Sequence, residues 1–217
     1  MDFSFIFRYQ SLYLIGARNT LLLALAAVLF GTMIGVVLAL MRLSNIKILK
    51  AVSASYIEFV RGTPLLVQLF IIFYGLPVVT GMRFPDIVAG AMALSLNSAA
   101  YVAEIIRAGI QSVDKGQMEA ARSLGMPHGM SMRHIVIPQA FKNILPALGN
   151  EFIVIIKESA IVSVIGIYDI MRSANIVRGI TYRPFEPLIV AAVIYFIITF
   201  SLSNLMGVVE RRMRAGD

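Results

Sequence analysis

The sequence predicts an all-α membrane protein of about five transmembrane helices, with its N-terminus outside and its C-terminus in the cytoplasm. Three observations predict it. Of 217 residues, 59% are hydrophobic and only 14% charged, whereas soluble domains sit near one half and one quarter. Five apolar runs approach the ~20 residues an α-helix needs to cross about 30 Å of hydrocarbon. The basic residues concentrate between alternate runs, as they do in cytoplasmic loops. Apolar segments extend from end to end, so residues 1–217 read as one transmembrane domain.

The first span is expected over residues 20–41. It is too long for a signal-peptide core, and residues 2–10 lack a basic opening, so it reads as a retained helix. Gly31 and Gly35 form a small-xxx-small pattern that lets another helix approach closely. The second span is expected over residues 64–79, opened by Thr63 as a capping hydroxyl and Pro64 at the first helical position. Residues 51–60 before it read as an interfacial helix. The third, opened by Pro85, is expected over residues 86–110, and the fourth over 146–167, opened by Pro146. The fifth is expected over 186–209, stopping at Arg211, Arg212 and Arg214.

Placing the loop after the first span inside assigns twelve of the 19 basic residues to the cytoplasm and six to the outside, with Lys157 within a span. That bias orients the chain and puts residues 111–145 in the cytoplasm. It also accounts for the net charge of +7 without nucleic acid, since no basic run is interleaved with aromatics. The chain has no cysteine, hence no disulfide framework and no thiolate metal site. It has no internal repeat, and inverted repeats of the secondary-transporter kind are hard to build from five spans.

The cytoplasmic segment EAARSLGMPHGMSMRHIVIP, residues 119–138, holds both histidines, His128 and His134. Strong helix formers over 117–124 precede Gly125, a suitable C-cap. A second short helix is expected from Met126-Pro127 to residue 136, ended by Pro138. On it Met130, His134 and Ile137 share one face, with Met126 a turn earlier; Met132, Arg133 and Val136 share another. Apolar, flexible side chains outside the membrane make either a docking surface or a lid packed back on the bundle ends.

The spacing of this segment resembles the signature loop of permease subunits of bacterial ABC importers: EAA, three residues, Gly, nine residues, Ile, one residue, Leu-Pro. Here it is Glu119-Ala120-Ala121, Gly125, Ile135 and Ile137-Pro138, with Ile137 in place of leucine. Arg61-Gly62-Thr63-Pro64, Asn97-Ser98-Ala99-Ala100-Tyr101 with Glu104 and Arg107, and Lys157-Glu158-Ser159 are similar to the polar amino acid uptake branch. The resemblance implies a type I importer fold in the bacterial cytoplasmic membrane. It implies a coupling helix seated in a cleft of a separate ATPase, with contacts from Glu119, Ala120, Ala121, Gly125, Met126, His128, Met130, Arg133 and His134. It implies two copies of that ATPase, a second permease, identical or homologous, and an extracytoplasmic amino acid binding protein. ATP and magnesium would sit on the ATPase, and no cofactor on this chain. The sequence agrees: no G-x-x-x-x-G-K-[ST] phosphate loop occurs. An H-E-x-x-H motif is absent as well.

Ionisable residues inside spans are functional candidates. Asn97, Tyr101, Glu104 and Ala108 share one face of the third span; Glu151, Ile155, Glu158 and Val162 share one face of the fourth. For an amino acid substrate, Glu104 and Glu158 can accept from an ammonium. Asn97, Ser159 and Lys157 can donate to a carboxylate, and Tyr101 lies between. The competing reading is pairing: Arg107 with Glu104 one turn away, and Lys157 with a nearby glutamate. Glu151 is placed nearer the cytoplasmic end and read as structural, and Arg61 as a helix-end anchor. Two acids favour a cationic amino acid; neutralisation of one by Lys157 would leave a neutral one such as glutamine. The alternative function is an ion-gradient-driven carrier or channel for a small polar solute.

Overall fold

Long helices dominate the computed structural model, which describes residues 2–214, and no strand occurs among them. α1 (Phe5–Leu43) has 39 residues, about 58 Å at 1.5 Å per residue, so it extends beyond the hydrocarbon. It starts well before residue 20 because residues 5–19 bury Phe5, Tyr13 and Gly16 against later parts of the chain. α5 (Asp86–Gln111) and α10 (Glu186–Arg214) follow the expected third and fifth spans. Arg211 and Arg212 do not end α10, because charge halts the crossing of lipid but not helical bonding.

α1, α5 and residues 186–213 are each long and apolar enough to span a membrane. α2 (Lys47–Gly62) and the segment Leu65–Thr80 add a fourth candidate if counted as one span bent by 108°. That segment comprises α3 (Leu65–Phe70), a π-helical turn over Ile71–Gly75, and α4 (Leu76–Thr80). Thr63 does not cap α3. Its hydroxyl donates to Phe59 O, 2.9 Å away, so it closes α2, and Pro64 stands at the N-cap of α3 rather than inside it.

The expected fourth span is the largest correction. α8 runs from Ile137 to Glu158, with Pro146 in its interior. It is continuous upstream with α7 (His128–Ser131) through a π-helical turn at Met132–Val136, so Pro138 does not end the helix. A proline removes one i→i−4 bond; here Ile137 N–H bonds five residues back to Met132 O, and the π turn absorbs the mismatch. The apolar window that suggested residue 146 misses the amphipathic start, where Ala140 is buried and Phe141 exposed. Lys142, Asn143, Asn150 and Glu151 dilute α8, and it is not among the helices apolar enough to span on composition. A 3-10 turn, Ser159–Ile165, continues it to Gly166.

The core forms where α1 crosses α5. A Cβ on Gly31 would sit 2.9 Å from Ser98 Cβ, and one on Gly35 2.8 Å from Val102 Cβ. The glycine face is therefore filled by α5 of the same chain and is not a contact for a second permease. Leu23, Ala27, Leu69, Leu94, Ile155, Ile156 and Val162 complete this core. α9 (Ile170–Thr181) docks on α1: Ser173 Oγ donates to Leu12 O (2.9 Å), and Ile170 N–H to Thr20 Oγ1 (3.3 Å). Asp2 is tied to Arg183, whose guanidinium holds the Asp2 carboxyl well below the usual carboxylate range.

Candidate functional site

Two regions stand out: a polar seam inside the bundle and the hairpin between α5 and α8. In the seam, α5 buries Ser95, Asn97 and Ser98. Ser98 Oγ donates to Glu151 Oε1 of α8, 3.2 Å away. Glu151 is 7% exposed, and no cation pairs with it among the described residues. Because α8 starts at Ile137, Glu151 lies opposite the middle of α5 rather than near an end. Its hydrogen-bond partner among the described residues is a neutral hydroxyl, that of Ser98.

Gln68 of α3 is buried and meets the seam at Asn97 of α5. Its Nε2 reaches Val60 O (2.7 Å), Thr63 O (3.1 Å) and Thr63 Oγ1 (2.9 Å), and its Oε1 accepts from Asn97 Nδ2 (3.1 Å). Asn97 Oδ1 is buried and has no hydrogen-bond partner among the described residues. Such acceptors are rare enough to need a reason.

The other expected seam residues divide. Glu104 is held by Arg107: Nε lies 3.0 and 2.9 Å from the two carboxylate oxygens, and Nη2 also contacts Oε1. Arg107 in turn donates to Gln111. The Arg61 guanidinium lies over the Tyr101 ring, 5.5 Å from its centroid. Glu104 and Tyr101 thus share the α5 face with Asn97, but each already has a basic partner. Ser159 is fully buried, with its hydroxyl on Ile156 O at 2.8 Å; Glu158 is half-buried and Lys157 exposed. From this pairing we expect Glu104→Gln to lower the melting temperature of the detergent-purified protein by several degrees, since Arg107 loses its carboxylate, while substrate affinity stays within twofold as roughly expected for an ion-pair residue away from the ligand. An affinity loss with an unchanged melting temperature would return Glu104 to the site.

Sequence reasoning did not single out Gln68 or the Ser98 contact, and it placed Glu151 nearer a helix end than the structure does. The available signals were a lone amide in the apolar run 65–79, and a glutamate seven residues, or two turns, before Glu158.

The hairpin is built by α6 (Lys115–Ser123), α7 and the π turn. Asp114 caps α6, accepting from Gly116 N–H at 2.7 Å. Gly125 takes φ +84°. Its N–H bonds to Arg122 O, and Met126 N–H bonds to Ala121 O, at 3.0 and 3.1 Å. This double bond pattern is a Schellman closure, which needs a left-handed residue at Gly125. Ala121, Ser131 and Val136 face inward. Glu119, Ala120, Leu124, His128, Met130, Arg133, His134 and Ile137 are exposed, and Met126 is half-buried. The Glu119 carboxylate makes no ion pair and caps no helix among the described residues. Asn143 Nδ2 donates to Ser112 Oγ (2.9 Å), fastening the hairpin's entry to α8.

The model of a family described as binding-protein-dependent transport system inner membrane component matches residues 31–215. The arginine transport system permease protein ArtQ of Bacillus subtilis (strain 168) is 44% identical over 217 residues, covering 100% of this chain and 99% of the relative. The putative glutamine transport system permease protein GlnP of Rickettsia bellii (strain RML369-C) is 46% identical over 198 residues, 91% of each chain. A crystal structure of an amino acid ABC transporter with histidines matches with a TM-score of 0.94 at 57% identity, covering 98% of this chain and 99% of that one. An inward-facing MetNI methionine ABC transporter matches with a TM-score of 0.79 at 18% identity over 98% and 99% of the two chains, a likeness of fold.

Proposed function

Since the chain belongs to the family of inner-membrane components of binding-protein-dependent transport systems, as a permease subunit of an amino acid ABC importer, we propose that it carries polar, chiefly cationic, amino acids into the cytoplasm. The observation that carries the specificity is Glu151: a carboxylate buried in the bundle with a hydroxyl as its only partner among the described residues. A substrate ammonium or guanidinium supplies the missing charge. Ser98 of α5 meets it, Asn97 adjoins Ser98 in the chain, and Glu158 and Ser159 stand at the C-terminal end of α8. Glu104 with Arg107, and Tyr101 with Arg61, form a second polar layer toward the other end of α5.

The exposed hairpin is the coupling element. Glu119, His128, Met130, Arg133 and His134 face the cleft of a separate ATPase, which holds ATP and magnesium. Two ATPase copies, a second permease and an extracytoplasmic binding protein complete the importer, with residues 111–145 in the cytoplasm.

The test is reconstitution of the permease with its ATPase and binding protein in proteoliposomes. ATP-dependent uptake of arginine, lysine and histidine is expected to exceed that of glutamine and glutamate. Uptake driven by a sodium or proton gradient without ATP would overturn the reading, and a preference for glutamate would overturn the cationic part of it.

A further inference from the structure

Gln68 is tied at both ends, and the two ends are not interchangeable. Val60 O and Thr63 O belong to the backbone where α2 breaks into α3, and a carbonyl can only accept. They lie 2.7 and 3.1 Å from one end of the Gln68 amide, so that end must be the NH2. The other end is therefore the carbonyl, and it faces Asn97. Asn97 must answer with its own NH2, at 3.1 Å. Its oxygen is thereby turned away, and that oxygen is the buried acceptor without a partner. Reversing both amides would set Gln68 oxygen against two backbone oxygens at contact distance. The bend thus fixes the direction of an amide on another helix, through one intervening side chain.

Resting on the reading of Asn97 as a substrate contact, we propose that Gln68 is a specificity-determining positioning residue. It locks the Asn97 amide so that the site presents a hydrogen-bond acceptor, which takes an N–H donor such as a substrate ammonium, guanidinium or amide and rejects a carboxylate. Gln68 does not itself touch the substrate.

The purified permease–ATPase complex, with binding of arginine and glutamine measured and glutamate as the anionic control, tests this. Gln68→Met keeps the volume but frees the Asn97 amide to rotate. It is expected to weaken arginine and glutamine binding by about tenfold, the weight of one hydrogen bond to a charged group, and to narrow discrimination against glutamate. In the Asn97→Ala background the same change is expected to have almost no further effect, because the two residues act as one unit. Gln68→Glu loses the donors at the bend but keeps an acceptor for Asn97 Nδ2, so it is expected to lower the melting temperature while retaining affinity. This second variant decides the matter if Gln68→Met does not fold. Equal affinity losses from Gln68→Met in both backgrounds, or a Gln68→Glu protein that loses affinity as Asn97→Ala does, would overturn the proposal. If Asn97→Ala itself leaves affinity unchanged, the reading of Asn97 falls first, and the assignment of Gln68 with it.

Discussion

Replacing Gly125 with valine is expected to abolish substrate-stimulated ATP hydrolysis by the assembled importer while leaving the permease folded in the membrane. The reason is confined to the backbone. Nothing lies within 4 Å of a Cβ built at Gly125, so the substitution meets no crowding. Its φ of +84° is the obstacle: a left-handed backbone costs an L-residue roughly 1–2 kcal/mol, and more when the side chain branches at Cβ. The Schellman bonds at Arg122 and Ala121 then open, and α6 and α7 lose their fixed angle. A hairpin that transmits force must keep that angle. Gly129 supplies the control. It lies inside α7 with open space around it, so Gly129→Ala is expected to leave stimulation intact. Hydrolysis measured in proteoliposomes with and without loaded binding protein reads the outcome. Normal stimulation in the Gly125→Val complex would remove the hairpin from coupling.

Glu151→Gln is expected to produce the opposite pairing of effects on stability and transport. Glutamine keeps the shape and the contact with Ser98, so the fold survives. A carboxylate near the centre of a bilayer costs about 2.5–3.5 kcal/mol on insertion scales, and here no cation of the chain offsets it among the described residues. Neutralising it should therefore raise the melting temperature in the absence of substrate. A charge-assisted hydrogen bond to the substrate is worth roughly 1.5–3 kcal/mol, so arginine affinity should fall by about ten- to a hundredfold. Glutamine affinity should fall less if the cationic side chain, rather than the common α-ammonium, meets Glu151. A purely structural Glu151 would instead lower the melting temperature and leave affinity alone. One preparation, measured for both quantities, separates these cases.

What the sequence disclosed follows from which interactions are local. Gly125 could be read because a Schellman closure involves residues within five positions of one another, and Pro85 marks its break for the same reason. The polar stripe through Asn97 and Glu104 was visible because period 3.6 is a property of one helix. The partners of that stripe were not. Arg107 takes Glu104 from one turn away, a pairing that the sequence offered but could not choose over a ligand. Gln68 meets Asn97 across 29 positions, and nothing local specifies that meeting. Pro138 and Pro146 misled because a proline's effect depends on whether the freed carbonyl can be accommodated, and the π turn at Met132–Val136 accommodates the first. Moving the start of α8 upstream changed the position of Glu151, which now faces the middle of α5 rather than a helix end.

The unbroken path from His128 through the π turn to Glu158 fixes helical phase as well as distance. Each residue along it turns the far end by about 100° and advances it about 1.5 Å. The exposed side chains of Met130 and His134 and the carboxylate at Glu151 therefore stand in a fixed angular relation. A single residue gained or lost between Pro138 and Asn150 would swing Glu151 away from Ser98 without altering either end of the chain's chemistry. Four residues would nearly restore the angle but move the carboxylate about 6 Å along the axis. The length of this stretch is thus constrained more tightly than its composition. Exposed side chains of this stretch, such as Phe141, are expected to tolerate substitution, whereas insertions and deletions there are not expected to be tolerated.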